Sequence, residues 1–137
     1  MKKILIDLNI IVDFLNKRKN HKLASQVIDL CVKKKAIGYV CAHEITTLAY
    51  FLRKNGDYKK VKLLLSELFE IFKVIAVSKK ILTQALLSEI NDYENAVIET
   101  SAVLKNIDFI ISRDIKDFKK SRIKTISPVE FLADNFS

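Results

Sequence analysis

Five short runs rich in Ile and Val recur along the chain with helical patterns between them, and this alternation most narrows the fold. The spacing predicts strands near residues 3–6, 37–41, 73–77, 107–111 and 123–126, with helices near 9–17, 21–35, 43–54, 58–71, 79–89 and 93–105. Strands that are apolar throughout, rather than at alternate positions, suit a parallel sheet covered by helices on both faces. Ser127-Pro128-Val129-Glu130 reads as a capping box with Pro at the first helical position, and opens a last helix over 128–133. Asn55-Gly56-Asp57 separates two helices, with Gly56 as the stop of one and Asp57 as the N-cap of the next. No Pro-, Gly- or Ser-rich linker and no internal repeat divides the 137 residues. The expectation is one α/β domain spanning 1–137.

Helix 58–71 carries more apolar positions than one buried stripe requires. Val61, Leu64, Leu65 and Leu68 form a face, and Leu63 and Ile71 fall off it. A helix wedged in the core and a partner-binding surface both account for this pattern.

Composition excludes several function classes. Two Gly and one Pro leave no Gly-rich loop to cradle phosphates. No apolar run approaches the roughly 18 residues of a membrane span. The start has the basic and apolar flavour of a signal peptide, but Asp7 and Asp13 interrupt it and no small-residue cleavage site follows. Retention in the cytoplasm is expected. Cys31 and Cys41 make no metal-ligand spacing with each other or with His21 and His43, and read as small half-buried hydrophobes in a reducing interior. Only two histidines, neither in a recognisable motif, speak against serine or cysteine catalysis. Lys and Arg exceed Asp and Glu by 24 to 16, and the net charge of +8 favours a polyanionic partner.

The placement of acidic residues is the informative feature. Asp7 follows the first strand directly, and Glu44 lies just beyond the second. Asp92 and Asn95 open the helix at 93–105, and Asp114 and Asp117 follow the fourth strand. In a parallel sheet all strand C-termini share one edge, where ligand sites form. Clustered carboxylates repel, so a hard cation is the natural occupant of such a cluster. Each acid also has a structural reading. Asp7 could cap the following helix, although Asn9 reads as the better-placed cap; Glu44 suits a helix first turn; Asp92 is an N-cap; Asp114 and Asp117 could pair with Arg113 or Lys116.

The segments Ile4-Leu5-Ile6-Asp7-Leu8-Asn9, Glu44-Ile45-Thr46-Thr47-Leu48, Asp92-Tyr93-Glu94-Asn95-Ala96-Val97 and Ser112-Arg113-Asp114-Ile115-Lys116-Asp117-Phe118 resemble, in order and spacing, those of PIN-domain proteins. At this size the chain is similar to the VapC type, the ribonuclease toxins of toxin–antitoxin pairs. The resemblance implies a three-layer α/β/α sandwich with a parallel sheet of about five strands. It further implies Mg²⁺- or Mn²⁺-dependent RNA cleavage, homodimerisation and an antitoxin partner. By motif, Asp7 and Glu44 match the first two family acids and Asp114 the one after the last motif strand, with Asp117 a further acid at the rim. Asn9 matches a polar residue supporting the first acid, and Ser112 a family hydroxyl. Asn95 stands where the family has its third acid. This departure leaves a single metal, or an inward-turned Asp92, as the alternatives to full two-metal occupancy.

The chemistry implied is metal-assisted phosphodiester hydrolysis, with Asp7, Glu44 and Asp114 as ligands. The basic run Arg113, Lys116, Lys119, Lys120, Arg122 and Lys124 would meet RNA phosphates without choosing a sequence, or else serve as a solvated edge. A second reading is a non-catalytic RNA- or partner-binding module, supported by Asn95. An aspartyl-nucleophile phosphatase would lack its general acid, because Asn9 occupies that position. A receiver-like phosphoacceptor would need an acid after the third strand, where Ser78 stands.

Overall fold

Ile4, Leu5 and Ile6 are all fully buried, so the first strand is covered on both faces. That demands helices on each side of a central sheet, which is what a computed structural model shows. It describes residues 1–17, 19–54 and 56–135. The elements are β1 (Lys3–Ile6), α1 (Leu8–Asn16), α2 (His21–Val32), β2 (Ile37–Cys41), α3 (Ala42–Lys54), α4 (Tyr58–Ile71) and β3 (Lys73–Ile75). There follow α5 (Lys79–Ala85), α6 (Tyr93–Leu104), β4 (Phe109–Ile111), a 3₁₀ turn at Ile115–Phe118, β5 (Thr125–Ile126) and α7 (Pro128–Asn135).

All strand pairs are parallel, in the order β3-β2-β1-β4-β5. Successive β1 residues face opposite ways and divide the core in two. Ile4 and Ile6 pack with Ile10, Val27, Leu48, Leu68 and Phe131 from α1, α2, α3, α4 and α7. Leu5 packs with Ile81, Val97 and Ile98 from α5 and α6, and with Phe118. The result is an α/β/α sandwich with a five-stranded parallel sheet.

Several boundaries are shorter than the periodicity suggests, each for a local reason. Lys34 adopts φ 57° beyond α2, which therefore stops at Val32 rather than near residue 35. Ser78 accepts the Ile81 N–H and caps α5, which ends β3 by Ile75. Asn106 at φ 54° turns the chain after α6, so β4 begins at Phe109. The Ser121 hydroxyl donates to Ile123 O and accepts the Ile123 N–H, which holds the chain in a turn and leaves only Thr125–Ile126 as strand. Asp57 caps α4 and Ser127 Oγ accepts the Glu130 N–H at the start of α7, as expected. Gly56 takes no left-handed conformation, so it is not the expected type of stop, and Asn55 lies outside the described residues. Helix α4 buries Val61 and Leu68 but leaves Leu63 exposed, so it is a surface helix rather than a wedged one.

Cys31 and Cys41 are buried free thiols, and burial pushes both up to about 12. Among the described residues no helix is long and apolar enough to cross a membrane.

Candidate active site

The strand order makes β1 the point at which the chain reverses direction across the sheet. From β1 the chain builds outward through β2 to β3, then returns to β1's other side for β4 and β5. The C-terminal ends of β1 and β4 therefore border the crevice where α/β sheets place their sites. Asp7 directly follows β1 and Ser112 directly follows β4, and both lie there.

Asp7 sits where strand passes directly into helix. Its N–H still donates to Ile111 O at 3.0 Å, continuing the ladder, while its side chain accepts from Leu8 N and caps α1. The capping role thus falls to Asp7 and not to Asn9. No linker residue separates β1 from α1, so the junction residue itself takes the extended N-cap conformation. Asn9 lies in the first helical turn and reaches across to the β4 loop. Its Nδ2 donates to Asp114 Oδ2 at 3.0 Å and to Ser112 Oγ at 3.3 Å, and its Oδ1 accepts the Arg113 N–H at 3.4 Å. Ser112 is fully buried; its hydroxyl donates to Asp7 Oδ2 at 2.7 Å and accepts the Asp114 N–H at 3.0 Å. Asn9 and Ser112 thereby support Asp7 and Asp114 together.

Glu44, in the first turn of α3, is 2% exposed. Its Oε2 shares the Leu8 N–H with Asp7, at 2.8 Å against 2.9 Å for Asp7 Oδ1. Its Oε1 is buried with no hydrogen-bond partner among the described residues. Burial, then the Asp7 charge and the bond a protonated Glu44 would make to Asp7, raise its pKa well above the ordinary carboxylate range. The Leu8 N–H opposes this, and Glu94 adds to it.

The remaining acids line the same groove less deeply. Asp92 caps α6 by accepting the Asn95 N–H at 3.1 Å, and the half-buried Asn95 follows it into the groove. Asp114 and Asp117 are exposed and line the same groove. Among the described residues no three His, Cys, Asp or Glu side chains gather closely enough to hold a metal ion. The structure brings Asp7 and Glu44 together and sets Asp114 beside them through Asn9 and Ser112.

Two residues near the acids, Glu94 in the groove and His43 next to Glu44 in the chain, were given no role by the motifs. Glu94 lies in the first turn of α6, and its charge acts on both Glu44 and His43. An acid beside Asn95 at a helix start was the available signal. His43 has both ring nitrogens buried without hydrogen-bond partners among the described residues. Burial lowers its pKa while Glu94 and Asp7 pull the other way. Nothing in its sequence surroundings marked it.

The basic run divides. Arg113 donates to buried Asp13 at 3.0 Å, and Arg122 pairs with buried Glu99 at 3.3 Å and donates its own N–H to it. These two guanidinium groups anchor loops to the core while their side chains stay about half exposed, and Arg113 also lines the acidic groove. Lys116, Lys119 and Lys120 line a cleft with Asp92, Asn95 and Asp117, so that cleft adjoins the acidic groove. Lys124 lies farther along, in a depression shared with Lys116 and Lys119.

A hard cation fits this corner on chemical grounds. The donors are carboxylate oxygens, they repel one another, and one buried oxygen lacks a donor. Magnesium in particular is commonly held by only one or two carboxylates, with water and substrate phosphate completing its shell.

The chain is 29% identical over 135 residues to Ribonuclease VapC1 of Aquifex aeolicus, covering 94% of this chain and 92% of that protein. Its fold is similar to a chain of VapBC2 from Rickettsia felis, solved bound to a DNA fragment from their promoter (TM-score 0.71, 16% identity, 91% of this chain and 98% of that one). It is also similar to Mycobacterium tuberculosis VapC20, described as a sarcin-ricin loop cleaving toxin (TM-score 0.65, 17% identity, 88% and 98%). The PIN domain pattern matches residues 3–116, most of the sequence and every strand but β5. The chain belongs to the PIN domain family.

Proposed function

We propose that this protein is a Mg²⁺- or Mn²⁺-dependent endoribonuclease acting as the toxin of a toxin–antitoxin pair. The observation that carries the reading is the Asp7–Glu44 corner: two carboxylates sharing one N–H, with a buried oxygen left unsatisfied at the switch point of the sheet. Leaving a buried carboxylate so poorly compensated costs stability. A cation bound there would offset that cost. The naming of the VapC1 relative as a ribonuclease supports the activity. The VapBC2 complex and a Klebsiella pneumoniae toxin-antitoxin complex of similar fold (TM-score 0.71, 20% identity) support an antitoxin partner.

Asp7 and Glu44 would hold the cation, with Asp114 reaching it directly or through water. When bound, it supplies Lewis acidity and charge neutralisation at the attacked phosphate. Ser112 Oγ donates to Asp7 Oδ2 and Asn9 Nδ2 to Asp114 Oδ2, which keeps the two carboxylates oriented, while the Leu8 N–H is the donor to Asp7 Oδ1. The lysines of the adjoining cleft hold the phosphate backbone.

A non-catalytic binding module is the second reading, favoured by the neutral Asn95 in the groove. Incubation of the purified chain with RNA and Mn²⁺ separates the two. Cleavage that disappears in Asp7→Asn is expected; no cleavage by the wild type, with RNA binding intact, selects the binding module.

A further inference from the structure

Asp13 is a buried acid outside the acidic groove. It stands inside α1 at 6% exposure, one residue beyond Val12, which lines that groove. Asp13 itself lines a separate cavity of about 120 Å³, together with Asn20 and Ser127. Arg113 lines both the cavity and the groove, and its Nη1 donates to Asp13 Oδ1 at 3.0 Å across 100 residues of sequence. The pair is unlike that of Glu99 and Arg122, in which both carboxylate oxygens accept hydrogen bonds. Asp13 Oδ2 is buried with no hydrogen-bond partner among the described residues. The Arg113 side chain is 45% exposed, and its remaining guanidinium N–H groups donate to none of the described residues. An ion pair that only fastened a loop would gain from a second, parallel hydrogen bond, which guanidinium and carboxylate form readily. Here one carboxylate oxygen and most of the guanidinium donors are left over.

We infer that Asp13 is a positioning residue: its buried charge holds the Arg113 guanidinium at the wall of the groove, where the unused N–H groups meet the charge that builds on the attacked phosphate. The inference rests on the nuclease reading, and it adds a cationic group supplied by the chain and the acid that holds it. Arg113 is the one cationic side chain among the described residues lining the groove, against the carboxylates of Asp7, Glu44, Asp92, Glu94, Asp114 and Asp117. A planar guanidinium can meet two phosphate oxygens at once, and a donor fixed in advance needs no reorganisation as charge develops. An untethered arginine would lose rotamer entropy on reaching the same place, and a carboxylate beside it removes much of that loss. The arrangement costs stability, because Asp13 Oδ2 stays unmet.

Steady-state kinetics of RNA cleavage in Mn²⁺, read beside melting curves, test this. Arg113→Ala should lower kcat about a hundredfold and leave KM within about twofold, because its contact strengthens only as charge develops. Asp13→Ala should lower kcat roughly tenfold, since the guanidinium remains but is no longer held in place. The melting temperature of Asp13→Ala should hold or rise, because an unmet buried charge is removed and the half-exposed Arg113 head can turn to water. With both substitutions kcat should equal that of Arg113→Ala alone, because Asp13 then has nothing left to hold. Should Asp13→Ala not fold, Asp13→Asn carries the same kinetic test, since it removes the charge and keeps the volume. A lowered melting temperature in Asp13→Ala with kcat per folded molecule unchanged would make the pair a loop fastening and overturn the inference. Losses that multiply in the double variant, or a change confined to KM, would overturn it too. No cleavage by the wild type would end the nuclease reading and this inference with it. Cleavage by Asp13→Ala at wild-type kcat would end this inference alone.

Discussion

Two glutamates are almost equally buried, Glu44 at 2% and Glu99 at 1% exposure, yet their surroundings are opposite. Glu99 Oε1 accepts from Ser88 Oγ at 2.6 Å and from the Arg122 guanidinium at 3.3 Å, and Oε2 accepts the Arg122 N–H at 2.6 Å. Burial alone would raise its pKa, but these donors and the guanidinium charge outweigh it and hold Glu99 below the ordinary range. Glu44 has a single shared N–H, a second carboxylate beside it and an oxygen without a donor. Burial is common to both, so burial does not distinguish a structural carboxylate from a functional one. The difference lies in compensation. Glu99 ties α6 to the loop before β5, whereas Glu44 Oε1 has no donor among the described residues.

The contrast between the two glutamates breaks most sharply at Asp7. Asp7→Asn keeps the helix cap, since Asn caps about as well as Asp, and removes the charge facing Glu44. RNA cleavage should fall at least a hundredfold, equivalent to ~2.7 kcal/mol at the transition state. The metal-free melting temperature should stay level or rise. A drop in melting temperature would mark Asp7 as a structural carboxylate of the Glu99 kind.

Mn²⁺ gives the next effect. At a concentration 100 times its Kd it should stabilise the wild type by about 2.7 kcal/mol through mass action. The shift in melting curve should vanish in Glu44→Gln and persist in Glu99→Gln. Equal shifts in both variants would place the cation elsewhere.

Glu99→Gln should cost about 1–3 kcal/mol in urea unfolding, toward the lower end because the half-exposed Arg122 head can turn to water. Specific activity per folded molecule should not change. The pH dependence follows from the direction of the shift. A depressed folded pKa contributes stability that is complete above the unfolded value of about 4.5 and disappears as pH falls through the lower folded value. The gap between wild type and Glu99→Gln should therefore be flat near neutrality and narrow below about 4.5. A gap that widens in acid would contradict the assignment of its partners.

Asn95→Asp is the smallest of these changes. It adds one charge at nearly constant volume to a residue already lining the groove with Asp7 and Glu44. It should tighten Mn²⁺ binding, read by calorimetry, and speed cleavage at least roughly tenfold, or ~1.4 kcal/mol. Asp92→Asn should change little, as befits a cap. If Asp92→Asn abolishes cleavage while Asn95→Asp does nothing, Asp92 holds the position assigned to Asn95.

The amino-acid sequence by itself determined the alternation of strands and helices, because runs such as Lys3–Ile6 and Ile37–Cys41 are apolar on both faces and only a covered parallel sheet buries them. It also placed Asp7, Glu44 and Asp114 at strand ends, since position relative to a strand end is a local property. Tertiary structure alone decided what those acids meet. The order β3-β2-β1-β4-β5 set Asp7 between the other two, and no local pattern encodes strand order. It alone gave Arg113 to Asp13 and Arg122 to Glu99, pairs separated by 100 and 23 residues. Glu99 escaped notice for the same reason: every residue of α6 from Ala96 to Ala102 is buried, and an acid there becomes structural only when the loop before β5 brings its donors. Charge and periodicity are written along the chain, but compensation of a buried charge is written only where distant segments touch.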